Sequence, residues 1–537
     1  MSATGYRSQA PAGQAGFAQL LRAEWVKFST VRGWVAGLVL AAMAIVALGL
    51  APSGQGSCGT HGPASDCAQL VGPGGEAVTD SFYFVHQPLT GDGSITVRMT
   101  SLTGRLPDFS DDAGASQGNP SQGNAGNGDG SGPRTRAGLV PWAKAGIIVK
   151  ASTREGSAYA AMMVTGAHGV RMQYDYTGDL AGLAGSVSAA SPRWLRLTRS
   201  GDTIAGYDSA DGSHWSEVGS VTLPGLRPTA QGGLFATSPQ YSQLSMGQLS
   251  LSGAASQATG TFDHVRLGGG WPDGAWAGAA VDAPGGPAAG SPGGFQDAGG
   301  RFSVTGTGDI APSVSGASGI GVTIAQTLIG VFAGLVAVAV VGAMFMTAEY
   351  RRGLIRVTLA ATPVRGRVLA AKAVVIGDVT FAAGLVSAAI VVALGQRVLR
   401  GHGVYVWPAS ALTEVRVITG TAAVLAVAAV LALAIGTIVR RGAAAVATVI
   451  VVIVLPYLLT VTTPVLPVGP TEWLARVTPA AAFAVQATLA QYPQVSNVYV
   501  PSAGYFPLAP WAGFAVLCAW TAAALILATF LLRRRDA

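Results

Sequence analysis

The side chains best suited to make chemical contacts in this chain are cations gathered in one short stretch. Residues 347–372 hold six Lys and Arg side chains against a single acid, Glu349, and an uncharged apolar run lies on each side. Because Lys and Arg keep short loops on the cytoplasmic side during membrane insertion, the stretch is predicted to be an inside loop. The chemistry it offers is electrostatic binding. On charge alone, a loop that faces only solvent and lipid headgroups remains an alternative to one that binds a partner.

Residue sets typical of catalysis are missing from the apolar runs. They contain no His, no paired Asp and no Ser/Lys dyad, and the chain has no G-x-x-x-x-G-K-[ST] string to cradle ATP phosphates. Asp378 lies in an apolar run close to Lys372, which favours snorkelling or pairing between helices over a transport path. We therefore expect no enzymatic activity, no metal and no cofactor bound by this chain.

Two cysteines could form a covalent link. Cys58 and Cys67 follow the first apolar run, on the side that the topology makes oxidising, and a disulfide between them would contribute about 2–3 kcal/mol. A zinc site with His61 is the alternative, but two Cys and one His do not complete a tetrahedral site. Cys518 lies in an apolar run and is predicted to be a packing residue.

The composition indicates a polytopic membrane protein. Half of the 537 residues are hydrophobic, only 11% are charged, and the mean hydropathy is +0.44. The net charge of +7 does not indicate nucleic-acid binding, because the cations cluster at the flanks of apolar runs, where they meet membrane lipids. The four segments predicted to be inside carry 15 Lys and Arg against three acids.

The chain is predicted to cross the membrane six times, with both termini cytoplasmic. Residues 1–16 are a disordered lead, and residues 17–32 predict an amphipathic helix anchored by Trp25, with the first turns of a longer helix as the alternative. We interpret the first apolar run as an uncleaved anchor rather than a signal peptide. Two short interfacial or re-entrant helices are expected between residues 471 and 489. The predicted spans are residues 33–50, 320–346, 373–395, 417–439, 442–466 and 511–532.

Residues 51–319 contain no spanning run and are predicted to be extracytoplasmic. Many short segments in which apolar residues alternate with polar ones indicate an antiparallel sandwich. We expect a linker at 51–79, the sandwich at 80–267 with a flexible loop at 108–132, and a Gly/Pro-rich linker at 268–319 in which residues 301–304 could add an edge strand. The predicted strands are residues 94–99, 145–150, 158–164, 169–176, 193–201, 203–209, 216–223, 232–238 and 261–267.

The strings WAKAGIIVK, SPRWLRLTRSGDTIAGYDSADGSHWSEVGSVTL, GGLFATS and TFDHVRL resemble concanavalin A-like (laminin G-like) jelly-roll domains. Trp142, Trp194 and Trp215 could stack on sugars, but their positions in alternating strands favour core packing. Glycosidases that resemble this fold depend on closely spaced acids on one strand, and no predicted strand carries such a pair. The domain is therefore expected to bind a ligand or to serve a structural role.

The strings LLRAEWVKFSTVRGW and EYRRGLIRVTLAATPVRGRVLAAK resemble permease subunits of type-two ATP-binding cassette (ABC) transporters. The resemblance implies an elbow helix before the first span and a coupling loop at 347–372 that docks on a separate ATPase. It also implies a plasma-membrane exporter that uses ATP only through that partner and works as a homodimer or with a sister permease. Simple members of the family have a short loop where this chain has the inserted sandwich, so the resemblance does not identify the substrate. The implied coupling residues are Glu349, Tyr350, Arg351, Arg352, Gly353, Arg356 and Thr358.

A membrane-anchored, lectin-like surface receptor is the alternative function. In that case the six spans merely display the sandwich, and deletion of residues 80–267 would remove all function. In the exporter the spans would still assemble with an ATPase after that deletion. The outer domain of an exporter could bind the substrate, the cell wall or a partner protein.

Overall fold

The computed structural model describes residues 16–51, 70–108, 134–245, 250–272, 274–281, 293–315, 321–351, 353–355, 358, 364–402, 404–461, 468–497 and 499–534. The chain forms two compact units. The helical unit is built from Met1–Cys67, Ile320–Ala490 and Tyr499–Ala537, and the sandwich unit from Ala68–Gly319 and Gln491–Val498. Cys58 and Cys67 lie outside the described residues, as does most of the predicted loop at 108–132.

The helical unit contains long apolar helices joined by short polar segments. Among the described residues, six helices are long and apolar enough to cross a membrane, which is consistent with a multi-pass membrane protein. The helices are α1 (Phe17–Thr30), α2 (Arg32–Leu50), α3 (Ile324–Thr327), α4 (Val331–Arg351), α5 (Arg365–Ile390), α6 (Gln396–Gly401), α7 (Ala411–Val439), α8 (Gly442–Val449), α9 (Leu455–Val461), α10 (Val468–Val477) and α11 (Pro510–Arg534).

Short irregular turns join several of these helices into the six apolar elements. A 3₁₀ turn at Leu328–Gly330 continues α3 into α4, and π turns at Val391–Gly395 and Ile450–Val454 continue α5 into α6 and α8 into α9. The start of α3 is fixed by a capping box, in which Thr323 and Gln326 satisfy each other's backbone N–H groups. A 3₁₀ helix at Pro479–Gln486 follows α10, so two short helices do precede the last span.

The amphipathic helix α1 is separate from the first long helix. Val31 has φ −87° and ψ 97°, an extended conformation that breaks the helical hydrogen-bond ladder between α1 and α2. Phe28 of α1 is buried, whereas Trp25 is 52% exposed. α1 is therefore not simply the first turns of a longer helix.

The long helices of the unit approach closely where glycine faces a backbone carbonyl. A Cβ on Gly342 of α4 would lie 2.5 Å from the Ala429 oxygen of α7, and one on Gly436 of α7 would lie 2.8 Å from the Ala343 oxygen of α4. Small residues at such positions let helix backbones pack against each other in membranes, where the hydrophobic effect does not drive association. The contact between α4 and α7 therefore depends on two reciprocal glycines.

The predicted coupling loop is partly helical, which corrects its boundaries. α4 continues to Arg351 and α5 begins at Arg365, so residues 347–351 and 365–372 belong to helices. Arg and Lys are strong helix formers, and a charge cluster by itself does not end a helix. Hydropathy alone ends the spans at their last apolar residues, which makes the predicted loop too long.

The sandwich unit consists of antiparallel strands in two large sheets and two two-stranded ones. Its strands are β1 (Val78–Asp80), β2 (Phe82–Thr90), β3 (Gly93–Pro107), β4 (Thr135–Ala137), β5 (Lys144–Lys150), β6 (Tyr159–Thr165), β7 (Val170–Tyr174), β8 (Gly178–Ala181), β9 (Arg193–Ser200), β10 (Thr203–Ser209), β11 (Ser216–Thr222), β12 (Thr229–Thr237), β13 (Tyr241–Ser245), β14 (Ser250–Ala254), β15 (Gln257–Gly269), β16 (Ala277–Val281), β17 (Gly294–Asp297), β18 (Phe302–Gly306) and β19 (Ile310–Pro312).

The larger sheet has the strand order β11-β10-β9-β3-β15-β18-β17, with β4 added to β3. The second sheet has the order β16-β2-β12-β5-β6-β7-β8. Apolar side chains from both sheets, among them Leu195, Leu197, Ile147 and Phe262, form one buried core. β9 alternates buried with partly exposed residues, as a strand of a two-sheet sandwich does, whereas β5 and β6 are buried along their whole length.

All nine predicted strand segments overlap strands of the structure, but the sandwich extends beyond Leu267. β16, β17 and β19 occupy the predicted Gly/Pro-rich linker, and β1 lies in the predicted linker at 51–79. β18 coincides with the strand predicted at 301–304, but it lies between β15 and β17 rather than at an edge. β16 has the sequence AGAAV, and its pairing with β2 uses backbone groups that Gly/Ala-rich composition does not reveal. The predicted boundaries of 80 and 267 are therefore too narrow.

Two features hold the ends of the sandwich unit together. β1 pairs antiparallel with β19, so the first and last strands of the unit are neighbours. In the separate piece Gln491–Val498, the Gln494 side chain donates to the Thr177 carbonyl (3.0 Å) and the Asn497 side chain to the Ser315 carbonyl (2.9 Å). This second piece of chain is therefore part of the unit.

Candidate functional site

A buried cluster of charged side chains joins three helices of the helical unit. Lys372 of α5 donates to Glu24 of α1 (Nζ–Oε2 2.6 Å) and to Glu349 of α4 (Nζ–Oε1 2.7 Å). Lys27 of α1 contacts the same two acids, with Nζ 2.8 Å from Glu24 Oε1 and 3.3 Å from Glu349 Oε1. We call Glu24, Lys27, Glu349 and Lys372 the charge cluster.

The charge cluster balances two acids with two lysines inside the protein. The Lys372 and Glu24 side chains are fully buried, and the Glu349 side chain is 7% exposed. The Lys372 ammonium also lies 4.4 Å from the centre of the Phe345 ring, within the range of a cation–π contact. Removing a charge from water costs several kcal/mol, so such a group is tolerated only when opposite charges surround it. The cluster therefore fixes the positions of α1, α4 and α5 relative to one another.

Lys27 is the most exposed member of the charge cluster, with 39% of its side chain exposed. Burial lowers the pKa of Lys27, but hydrogen bonds and charges from Glu24 and Glu349 outweigh this effect and hold the pKa above its ordinary value of 10.5. Its stabilising effect is therefore fully present below the unfolded-state pKa and is lost only as the pH rises through the folded-state pKa.

The raised pKa of Lys27 sets a pH dependence of stability. The difference in thermal stability between the wild type and Lys27→Met should stay constant from neutral pH up to about 10 and should shrink above 10.5. Thermal unfolding followed by circular dichroism in detergent at several pH values measures it. A difference that already disappears between neutral pH and about pH 9, well below the ordinary lysine pKa, would contradict the raised pKa of Lys27.

The charge cluster lies at the base of the segment between α4 and α5. After Arg351, whose side chain is exposed, Gly353 adopts φ +68°, a left-handed conformation that favours glycine. Leu354 is exposed, whereas Ile355 is 3% exposed and packs into the helical core. The Thr358 hydroxyl donates to the Leu354 carbonyl (3.1 Å) and lies 3.5 Å from Lys27 Nζ. The segment thus presents Arg351 and Leu354 outward while Ile355 anchors it.

The predicted coupling residues separate into three groups. Glu349 belongs to the charge cluster, and Tyr350 packs against the core with its ring 5.1 Å from the Arg440 guanidinium carbon. Arg351, Gly353 and Leu354 are exposed and form what we call the exposed turn, and Thr358 lies beside it. Arg352 and Arg356 lie outside the described residues.

The pairing of Glu24 with Lys372 was missed by the sequence predictions. Asp378 is expected to snorkel or to pair between helices, with Lys372 close by, but Lys372 contacts Glu24 and Glu349, and the Asp378 side chain is exposed. The signal that could have revealed the pair is the position of Glu24 relative to the apolar residues of α1. Glu24 follows Leu21 by three residues and precedes Phe28 by four, which places an acid on the apolar face.

The tryptophans of the sandwich unit present little free ring surface. Trp142 is 6% exposed and its ring stacks on His168, with centroids 3.9 Å apart and planes inclined by 11°. The Arg196 guanidinium covers the half-buried Trp215 ring at 3.9 Å. Trp142 is therefore a packing residue, as predicted in preference to sugar stacking.

The sequence matches no family model, and no curated protein matches it. Among solved structures, a functionally unknown protein from Saccharomyces cerevisiae shares 14% identity with a TM-score of 0.20, covering 36% of this chain and 77% of its own. Two inhibitor complexes of scytalido-glutamic peptidase share 9% identity with TM-scores of 0.22 and 0.20, each covering 42% of this chain and 98% of its own. At TM-scores this low, these similarities support no conclusion about fold or activity.

Proposed function

We propose that this chain is the membrane-spanning permease subunit of an ABC transporter, an exporter whose energy comes from a separate ATPase. Six apolar helices, a separate amphipathic helix before the first, and the resemblance of both basic strings to such permeases support the proposal. The chain itself binds no cofactor and performs no catalysis, and ATP is bound and hydrolysed by the partner. The protein resides in the plasma membrane with its sandwich, a concanavalin A-like jelly roll, outside the cell.

The observation that carries the proposal is the position of the charge cluster. Glu349 precedes the exposed turn by a few residues, and Lys372 lies on the helix that follows it. Because buried charges hold α1, α4 and α5 together, a displacement of the turn is transmitted to the ends of two spans and to the amphipathic helix. A coupling segment needs such a connection in order to convert ATPase closure into movement of the spans.

The exposed turn offers an ATPase a small mixed surface. Arg351 supplies a cation, Leu354 supplies an apolar side chain that is 48% exposed, and Gly353 sets the direction of the chain between them. Interfaces commonly combine an apolar contact with a charged residue that sets specificity. A second copy or a sister permease completes the transporter, and membrane lipids contact exposed aromatics such as Trp25 and Trp511.

Charge reversal at the exposed turn tests the proposal. Arg351→Glu, alone or with Arg352→Glu, should abolish co-purification of an ABC ATPase, to be sought first among the products of adjacent genes, while the permease still inserts into membranes. Arg533→Glu is the matched control, since Arg533 is an exposed arginine at the end of α11 on the same predicted side. Pull-down from solubilised membranes with quantified ATPase is the measurement. Undiminished co-purification of Arg351→Glu would refute docking at this segment.

A further inference from the structure

Two buried lysines of the sandwich unit lie on one side of β5 and meet acids at the ends of the unit. Lys144 and Lys150 are six residues apart in the strand, so both project from the same face. Lys144 Nζ lies 2.7 Å from Asp309 Oδ1, beside β19, and Lys150 Nζ lies 2.6 Å from Asp80 Oδ2, the last residue of β1. Since β1 pairs with β19, these contacts tie both ends of the unit to β5.

The surroundings of Asp80 differ from those of Asp309. The Lys150 and Asp80 side chains are both fully buried, whereas 12% of the Asp309 side chain is exposed. Asp80 Oδ2 accepts hydrogen bonds from the Tyr176 hydroxyl (2.7 Å) and from the Gly156 N–H (2.9 Å), in addition to the lysine. Asp80 Oδ1 is buried and has no hydrogen-bond partner among the described residues. A buried carboxylate with all its donors on one oxygen is unusual for a structural ion pair.

The surroundings of Lys150 make its uncharged form easier to reach than it is in water. Burial lowers the pKa of Lys150, and the nearby charge of Asp80 opposes this effect only in part. Burial, together with the charge of Asp80, raises the pKa of Tyr176, so its hydroxyl remains a donor. Passage of a proton from the lysine to the aspartate would neutralise both buried charges and so remove the cost of keeping them out of water.

From the 2.6 Å contact, the complete burial of both side chains and the unpartnered Oδ1, we propose that Lys150 and Asp80 form an intramolecular isopeptide bond. The product is an amide between Lys150 Nζ and Asp80 Cγ. It is a covalent modification site inside the sandwich unit, and it does not depend on the transport function.

The reaction needs no oxidant and no co-reactant. The Lys150 ammonium passes one proton to the Asp80 carboxylate, and the neutral Nζ then adds to Cγ. Tyr176 and the Gly156 N–H hold the oxygen that becomes negative in the tetrahedral intermediate, as donors do in an oxyanion hole. A second proton leaves the nitrogen, the Cγ–Oδ1 bond breaks, and Oδ1 departs as water with the two protons that Nζ has lost. An ammonium and a carboxylate have then become one amide and one water, and two buried charges have disappeared.

Peptide mapping of the full-length protein, purified in detergent, tests the proposal. The wild type should yield a branched peptide that joins the segment containing Asp80 to the segment containing Lys150, lighter than the two linear peptides together by the mass of one water. Lys150→Arg should yield only linear peptides, because a guanidinium keeps the positive charge but does not form this amide. Lys144→Arg is the matched control and should retain the branched peptide.

The peptide map of the wild type by itself shows whether the isopeptide bond exists, so the test holds even if a variant folds poorly. Linear peptides that contain unmodified Asp80 and unmodified Lys150 in the wild type would show that the pair is ionic and overturn the proposal. Loss of water without a branched peptide would place the modification within one peptide, as in an aspartyl succinimide, and would overturn it as well.

Discussion

Replacement of Lys372 with Met is expected to destabilise the helical unit by about 3–5 kcal/mol, because the change leaves buried acids without their central cation. Lys372 is fully buried between Glu24 and Glu349, and only the partly exposed Lys27 would remain to offset two carboxylates. Thermal unfolding of detergent-purified protein and limited proteolysis of α1 measure the effect. Arg22→Met is the control, since Arg22 is exposed on α1, the helix that carries Glu24 and Lys27. This change should alter stability by less than about 0.5 kcal/mol.

A compensating change tests whether the four side chains act together. Lys372→Met combined with Glu24→Gln removes one charge of each sign and leaves Lys27 opposite Glu349, 3.3 Å away. The double variant should be more stable than Lys372→Met alone, because interacting residues give non-additive effects on the free energy of unfolding. If Lys372→Met unfolds like the wild type, or if the effects of the two changes simply add, the four side chains do not act as one cluster.

Introduction of a large side chain at Gly342 should separate α4 from α7. A Cβ at this position would lie 2.5 Å from the Ala429 carbonyl oxygen, and a backbone atom cannot move aside without shifting its helix. We expect Gly342→Leu to cost about 3 kcal/mol or more, at or above the upper end of overpacking costs. The readouts are the yield of monodisperse protein in detergent and its unfolding temperature.

The control for Gly342 lies in another span. A Cβ added to Gly33, at the start of α2, would have no neighbouring atom within 4 Å, so Gly33→Leu should be tolerated. Leucine is also the better helix former, which favours this variant slightly. Equal losses for both glycines would point to a general sensitivity of the spans rather than to the contact between α4 and α7.

Periodicity is sufficient to predict most of the architecture. Long apolar runs indicate the six candidate spans, and alternation indicates nine strands of the sandwich, because both patterns depend on local spacing. Periodicity fails where side chains carry little pattern. β16 is made of Gly, Ala and Val, and its place beside β2 is decided by backbone pairing with a strand far away in the sequence.

Only part of the charge cluster can be predicted from the sequence, because its members lie on helices that are far apart along the chain. Glu349 stands out through its neighbours in the basic string, but its partners Lys27 and Lys372 lie on other helices. Composition can show that an acid lies on the apolar face of α1, but not which cation meets it. Burial of Trp142 agrees with the packing role that its sequence position favours.

The short piece Gln491–Val498 has a consequence for gene architecture. A domain inserted between two spans can ordinarily be cut out or transplanted as one continuous stretch, but this sandwich unit also includes residues from the loop before the last span. Excision of Ala68–Gly319 would remove the Thr177 and Ser315 carbonyls that Gln494 and Asn497 use as acceptors. The sandwich therefore cannot be moved to another protein as one continuous stretch. A change in Ala68–Gly319 has to remain compatible with Gln491–Val498, and the reverse.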